Sequence, residues 1–171
     1  MEIRLLTEHD AEAWWRLRRL ALETDPRSFV ESVADHEKIT MEETREKLRR
    51  SGPGNFIVGM FEDGSLAGIA GFYRYQHAHL KHKGHIWGVY VRRESRGKGA
   101  AKALIAEIVR RARKVAGIEQ ITLVVSATQA AARRVYESVG FQYYGTEPKS
   151  LKVSGEYIDD DLMVLFLQGP Q

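Results

Sequence analysis

Residues 89–101 constrain the fold most, because a strand-like run passes through a glycine-containing turn directly into a helix pattern. Gly97 and Gly99 lack a Cβ, so that a ligand oxygen can approach the backbone of the turn closely. The first amides of the following helix have no intrahelical partner and carry partial positive charge. Arg96 and Lys98 add full charges. The segment predicts an anion site that fits a pyrophosphate, although a plain turn before a surface helix also explains an isolated Gly-x-Gly.

Two common phosphate-binding motifs do not match this turn. The Gly-Lys pair at 97–98 is not followed by Ser or Thr and lacks the spacing of a nucleoside triphosphate loop. The third glycine of a dinucleotide-binding fingerprint would fall at Lys102.

Strand-like and helix-like segments alternate along the chain. Asp63-Gly64 is typical of a hairpin turn, Thr40 with Glu43 indicates a helix start, and Gly140 suits a helix C-terminal cap. The predicted strands are residues 2–6, 56–58, 66–72, 85–91, 121–125, 141–147 and 156–167, and the predicted helices are 8–24, 40–50, 98–116 and about 132–139. This order predicts a mixed sheet in an α+β or α/β sandwich.

Composition excludes several classes of protein. The chain has 171 residues, 43 % of them hydrophobic, which is enough for one core, and we expect a single domain over residues 1–171. Without cysteine there is neither a disulfide framework nor a cysteine nucleophile. The longest apolar run, residues 162–167, is too short to span a bilayer, and the first residues do not form a signal sequence. We therefore expect a cytoplasmic protein that does not act at a membrane.

A second segment, residues 129–141, gives the turn its meaning. Together the two segments resemble the GNAT superfamily of acetyl-CoA-dependent N-acetyltransferases. Residues 96–101 match that family's Arg/Gln-x-x-Gly-x-Gly/Ala motif, and Ala132, Tyr136, Gly140 and Phe141 match its second signature at the expected distance. The resemblance covers nearly the whole chain. It implies a mostly antiparallel sheet whose central strands splay apart, flanked by about four helices.

The resemblance also implies which residues bind acetyl-CoA. Backbone groups of Val89 and Val91 would bind the pantetheine arm, and the amide of Val89 or Tyr90 would polarise the thioester carbonyl. Gln129, where the family often has Asn, would contact the same arm. The pyrophosphate would lie on Arg96, Gly97, Lys98, Gly99, Ala100 and Ala101, and Arg92, Arg93 and Arg133 are candidates for the outer phosphate.

The resemblance assigns Tyr136 as the general acid. A phenol with a pKa of about 10 can protonate a leaving thiolate whose thiol has a pKa of about 8.5. The alternative role for Tyr136 is a core aromatic on the helix face of Ala132 and Val135. The base that deprotonates the amine is not identified, and the candidates are His85, Glu31 and the acidic run Asp159, Asp160 and Asp161.

Two further clusters have alternative interpretations. His77, His79, His82 and His85 form a group, but no acidic residue lies between 75 and 90, so a solvated hairpin tip is favoured over a metal site. The basic run at 110–114 fits a charged helix end better than a nucleic-acid site, because no aromatic platform accompanies it.

Charge gives a clue to the acceptor. Residues 92–114 are mostly basic, while residues 31–46 and 156–161 are mostly acidic and would attract a cationic amine if they are not simply solvated surface. The leading hypothesis is acetyl transfer from acetyl-CoA, without a metal, to a primary amine such as a small-molecule amine, an amino acid, a polyamine or a peptide N-terminus. The alternative is a non-catalytic acyl-CoA-binding sensor, and a homodimer stays open.

Overall fold

A computed structural model describes residues 1–167, which form seven strands and five α-helices. The strands are β1 Glu2–Leu5, β2 Asn55–Glu62, β3 Ser65–Arg74, β4 Lys83–Val91, β5 Gln120–Ser126, β6 Gln142–Val153 and β7 Glu156–Phe166. The helices are α1 Ala11–Thr24, α2 Val33–His36, α3 Met41–Arg49, α4 Ala100–Ala112 and α5 Ala130–Val139. None of these helices is long and apolar enough to cross a membrane.

All seven strands belong to one sheet in the order β1-β2-β3-β4-β5-β7-β6. Five of the neighbouring pairs are antiparallel, and only β4 and β5 run parallel. This confirms the predicted α+β class with a mixed, mostly antiparallel sheet. One apolar cluster joins the sheet to α4 and α5, and a second joins its opposite face to α1 and α3.

The sheet opens between its two central strands. β4 pairs with β5 only from Lys83 to His85, while β5 continues to pair with β7 as far as Ser126. On its other side, β4 contains one more residue than β3 between the pairs Ile69–Tyr90 and Gly71–Trp87. This bulge lies at Gly88 and Val89, and Gly88 takes a positive φ of 65°. The expected splay of the central strands is therefore present.

Local sequence signals account for several element ends. The Thr40 hydroxyl accepts from the Glu43 amide at 3.2 Å, and the Glu43 carboxylate accepts from the Thr40 amide at 2.7 Å. Asp63 and Gly64 both have positive φ, as a two-residue hairpin turn requires. Gly140 ends α5 with a φ of 106°.

The structure corrects some of the predicted boundaries. The number of helices is five rather than four, because the one-turn helix α2 was missed although Ser32 and Asp35 form a capping box for it. α4 covers 100–112 rather than 98–116, since Gly99 is left-handed and the chain turns after Ala112. β6 extends beyond residue 147 to Val153. The single domain over 1–171 stays a prediction, and its residues 168–171 lie outside the described residues.

The left-handed cap at Gly140 gives a test of the fold. We expect Gly140→Ala to lower the free energy of unfolding by about 1–2 kcal/mol, because an L-residue is strained at this φ. A Cβ would also lie 3.3 Å from Leu165 Cδ1. The control is Gly52→Ala, where a Cβ meets no atom within 4 Å and φ is not left-handed. Urea unfolding that showed equal stability for the two variants would contradict this account of the cap.

Candidate active site

A cleft of about 410 Å³ opens where β4 and β5 separate. One end is formed by the turn before α4, the walls by β4, β5 and α5, and the other end by Phe29 and Trp87. Most of the predicted cofactor residues border it: Val89, Tyr90, Val91, Arg96, Gly97, Gly99, Ala100, Ala101, Gln129 and Tyr136. Two segments far apart in sequence therefore meet in one cavity.

The turn before α4 leaves a row of backbone donors free. Gly97 and Gly99 each have a φ of 79°, and a Cβ on either would project into open space. The first helical amide with an acceptor is that of Ala103, bonded to the Gly99 carbonyl at 3.0 Å. The amides from Gly97 to Lys102 donate to no other group among residues 1–167. This row at a helix N-terminus fits a pyrophosphate.

Arg96 connects the turn to the strand and to the first helix. Its Nε donates to the Val91 carbonyl at 2.8 Å, and its Nη2 donates to Asp25 at 2.6 Å. Its guanidinium also lies 5.5 Å from the centre of the Tyr90 ring. The side chain therefore braces the wall of the cleft.

The register of β4 decides which amides face the cleft. The Arg92 amide donates to the Ala67 carbonyl at 2.9 Å, and Tyr90 lies opposite Ile69 in the same register. Since every second residue of an antiparallel strand bonds to the same neighbour, the Tyr90 amide points to β3. Val89 and Val91 then present their backbone groups to the gap beside β5. This geometry favours Val89 over Tyr90 as a donor to a ligand in the cleft.

Tyr136 borders the cleft from α5. The residue is 7 % exposed, and its ring packs edge-on against Phe141 with 6.2 Å between centroids. Burial raises the pKa of Tyr136 above its ordinary value. No group in the described part of the chain forms a hydrogen bond with its hydroxyl, so that a protonated phenol is available to a ligand.

Two of the predicted cofactor residues do not border the cleft. Arg133 forms ion pairs with Glu137 at 3.0 Å and Asp161 at 2.8 Å, and it lies over the Tyr143 ring. Lys98 is exposed, whereas Lys102, which the sequence analysis did not select, borders the cleft. Lys102 is one turn into α4, and its helical spacing from Lys98 was the available signal.

The candidate bases also lie outside the cleft lining. His85 Nδ1 lies 2.9 Å from Thr122 Oγ1, and burial lowers the pKa of His85 to about 4. Glu31 pairs with Arg18 at 2.9 Å and with His36 at 3.3 Å.

The acidic run of β7 has partners of its own. Asp159 accepts from the Lys149 amide at 2.8 Å and Asp160 from the Ser150 hydroxyl at 2.5 Å, while Asp161 binds Arg133. These carboxylates hold β6 and α5 to β7, and none of them borders the cleft.

Two other clusters from the sequence are now placed. His77 and His79 are exposed on the loop before β4, and residues 1–167 bring no three potential metal-ligating side chains together. At the end of α4, Arg110 and Arg111 both bind Glu107, at 2.7 and 2.6 Å.

The comparison with protein families identifies the chain. A model of the acetyltransferase (GNAT) family matches residues 11–141, which contain both motif segments and most of the cleft. The chain belongs to the GNAT acetyltransferase family.

Solved structures share the GNAT fold over nearly the whole chain. A GNAT-family acetyltransferase from Streptococcus pneumoniae has a TM-score of 0.87 at 24 % identity, covering 97 % of this chain and 99 % of that one. A ribosomal-protein-alanine N-acetyltransferase from Brucella melitensis has a TM-score of 0.77 at 22 % identity, covering 98 % and 100 %. A phosphinothricin acetyltransferase from Sinorhizobium meliloti, in complex with acetyl-CoA, has a TM-score of 0.81 at 19 % identity, covering 97 % and 88 %.

The lowered pKa of His85 predicts how stability depends on pH. Because the folded pKa of about 4 is below the unfolded value of about 6.5, the unfolded chain binds more protons between these values. Stability should therefore fall as the pH drops from 6.5 to 4, with His85 contributing about 2 kcal/mol of the loss. Urea unfolding at several pH values should show a smaller loss for His85→Gln. An identical loss in both proteins would contradict the burial effect.

The free amides of the turn predict how the GNAT domain binds acetyl-CoA. We expect Gly99→Val to weaken binding at least 10-fold, because the side chain projects into the cleft and the left-handed φ is lost or strained. Gly155→Val is the matched control, since Gly155 has a φ of 83° with equally open space but lies in the β6–β7 turn. Calorimetry should show near-normal binding for the control. Equal weakening in both variants would mean that general strain causes the loss.

Proposed function

We propose that this GNAT protein transfers the acetyl group of acetyl-CoA to a primary amine in a ternary complex. The amine nitrogen bonds to the thioester carbonyl carbon, the C–S bond breaks, and the thiolate of coenzyme A takes up a proton. The observation that carries this proposal is the single cleft that joins the free amides of the turn to the hydroxyl of Tyr136. The turn accounts for donor binding, and the phenol accounts for release of the thiol.

The donor would lie along the opened edge of β4. Amides from Gly97 to Lys102 would bind the pyrophosphate, and the backbone of Val91 and the side chain of Gln129 would border the arm. The Val89 amide, turned away from β3 by the bulge, would donate to the thioester oxygen as negative charge develops there. A donor fixed in the backbone needs no reorganisation during the reaction.

Tyr136 would supply the proton to the leaving thiolate. The raised pKa keeps the phenol protonated at neutral pH, and its position within the cleft places it beside the donor. The printed names of two structural neighbours, a ribosomal-protein-alanine N-acetyltransferase and a phosphinothricin acetyltransferase, support acetyl transfer to a nitrogen acceptor.

Thiol release on addition of an amine to protein with acetyl-CoA tests the proposal directly. Turnover with members of a panel of amino acids, polyamines and peptide N-termini supports an N-acetyltransferase. Thermal stabilisation by acetyl-CoA without thiol release for any amine would overturn it in favour of an acyl-CoA-binding sensor.

The assigned role of Tyr136 predicts a selective loss of turnover. We expect Tyr136→Phe to lower kcat about 100-fold and to leave the affinity for acetyl-CoA within about 3-fold, because only the proton donor is removed. Tyr144→Phe is the control, since Tyr144 is 57 % exposed on β6. Unchanged kcat in Tyr136→Phe would show that the phenol is a packing residue.

A further inference from the structure

A buried arginine lies against the bulge of β4. Arg18, on α1, is 6 % exposed, and its guanidinium lies 4.6 Å from the centre of the Phe29 ring and 5.9 Å from that of Trp87. Its Nη1 is 3.3 Å from the position that a Cβ on Gly88 would take. Phe29, Trp87 and Gly88 all border the cleft. The guanidinium therefore lies directly behind the wall of the cleft, beside Val89.

One donor group of this arginine has no partner. Arg18 Nε donates to Glu31 at 2.9 Å, but Nη1 is buried without a hydrogen bond in the described part of the chain. Glu31 is shared with His36, whose Nδ1 is 3.3 Å away. A buried charged donor without an acceptor is costly, and such groups mark places where a ligand completes the hydrogen bonding.

A second cation lies on the same ring. Lys47 Nζ, on α3, is 4.5 Å from the centre of the Trp87 ring and 4.9 Å from that of Trp14. Its helix neighbour Glu46 pairs with Arg49 and Arg50 instead, and Lys47 forms no ion pair within residues 1–167. Desolvation and, to a smaller extent, repulsion from Arg18 lower the pKa of Lys47, while Glu31 opposes this.

These charges do not balance. Around Trp87 there are two cations, Arg18 and Lys47, and one carboxylate, Glu31. The acidic stretch at 31–46 does not change this, because its other carboxylates are used in helix caps and in ion pairs with Arg19, Lys38, Arg45, Arg49 and Arg50. The acceptor end of the cleft thus has one positive charge in excess, together with an unused donor.

We propose that Arg18 and Lys47 bind the carboxylate of the acceptor, so that the acceptor is a free α-amino acid rather than a polyamine. This inference rests on the proposed function. Arg18 Nη1 lies at Gly88, next to the Val89 amide that would hold the reacting carbonyl. Only a carboxylate within two or three bonds of the amine can reach both. The rings of Phe29 and Trp87 favour an apolar side chain.

Matched pairs of acceptors test the inference. We expect L-leucine and L-phenylalanine to be acetylated with a kcat/KM at least 10-fold above that of leucinamide and phenylalaninamide, which lack the carboxylate. Lys47→Met keeps the stem of the side chain but removes its charge. It should lower kcat/KM for the amino acids between about 10- and 100-fold, mainly through KM, and leave the amides within 2-fold.

Two further variants control for folding. Lys38→Met removes an exposed lysine that pairs with Asp35, and it should change neither class of acceptor. Arg18→Lys keeps the charge beside Glu31 but loses the free Nη1 donor, and it should show the same selective loss as Lys47→Met. Amino acids and amides used equally well, or losses of equal size for both in Lys47→Met, would overturn the inference while leaving the proposed function standing.

Binding separates failure of the inference from failure of the proposed function. If no amine is acetylated although acetyl-CoA binds, L-leucine is titrated calorimetrically into the protein with coenzyme A. Binding that is lost in Lys47→Met but kept in Lys38→Met would support the carboxylate subsite even without catalysis. Absence of L-leucine binding would overturn the subsite as well.

Discussion

The end of pairing between β4 and β5 after His85 is the constraint on which the site depends. A continuous ladder would satisfy the backbone of β4 on both sides and close the cleft. Instead, the bulge at Gly88 rotates the strand, so that Tyr90 returns to β3 while Val89 and Val91 face an open edge. Gly88 meets two demands at once, a φ of 65° and the close approach of Arg18 Nη1. One irregular residue therefore opens the donor slot and positions a cation behind it.

Much of the fold could be predicted because its signals are local. Thr40 with Glu43, Asp63-Gly64 and Gly140 act within a few residues of themselves, and the structure confirms each of them. The same kind of signal at Ser32 and Asp35 was missed, since a helix of one turn has no apolar periodicity. The end of α4 was placed too late because Val115 continues the apolar pattern into a turn that still packs on the core.

The site was predictable only where the backbone defines it. The turn at Gly97 and Gly99 needs small residues, so its sequence reports its geometry. Charged side chains behave differently, because their position depends on which partner the fold brings near. Arg133 looks like a phosphate ligand until β7 places Asp161 at 2.8 Å. Arg18 lies in a helix rich in arginine and looks like a surface residue until Phe29 and Trp87 enclose it.

The same reasoning changes what the charge pattern says about the acceptor. A site lined by unpaired carboxylates would raise the pKa of a bound amine and hold it as an unreactive ammonium ion. Here Arg18 and Lys47 would offset both Glu31 and the carboxylate of the acceptor, so the ammonium form gains no net electrostatic stabilisation. The candidate bases His85 and Glu31 lie outside the cleft lining, and an amine that loses its proton readily needs a weaker base. The excess of positive charge at Trp87 thus supports both recognition of the acceptor and its reactivity.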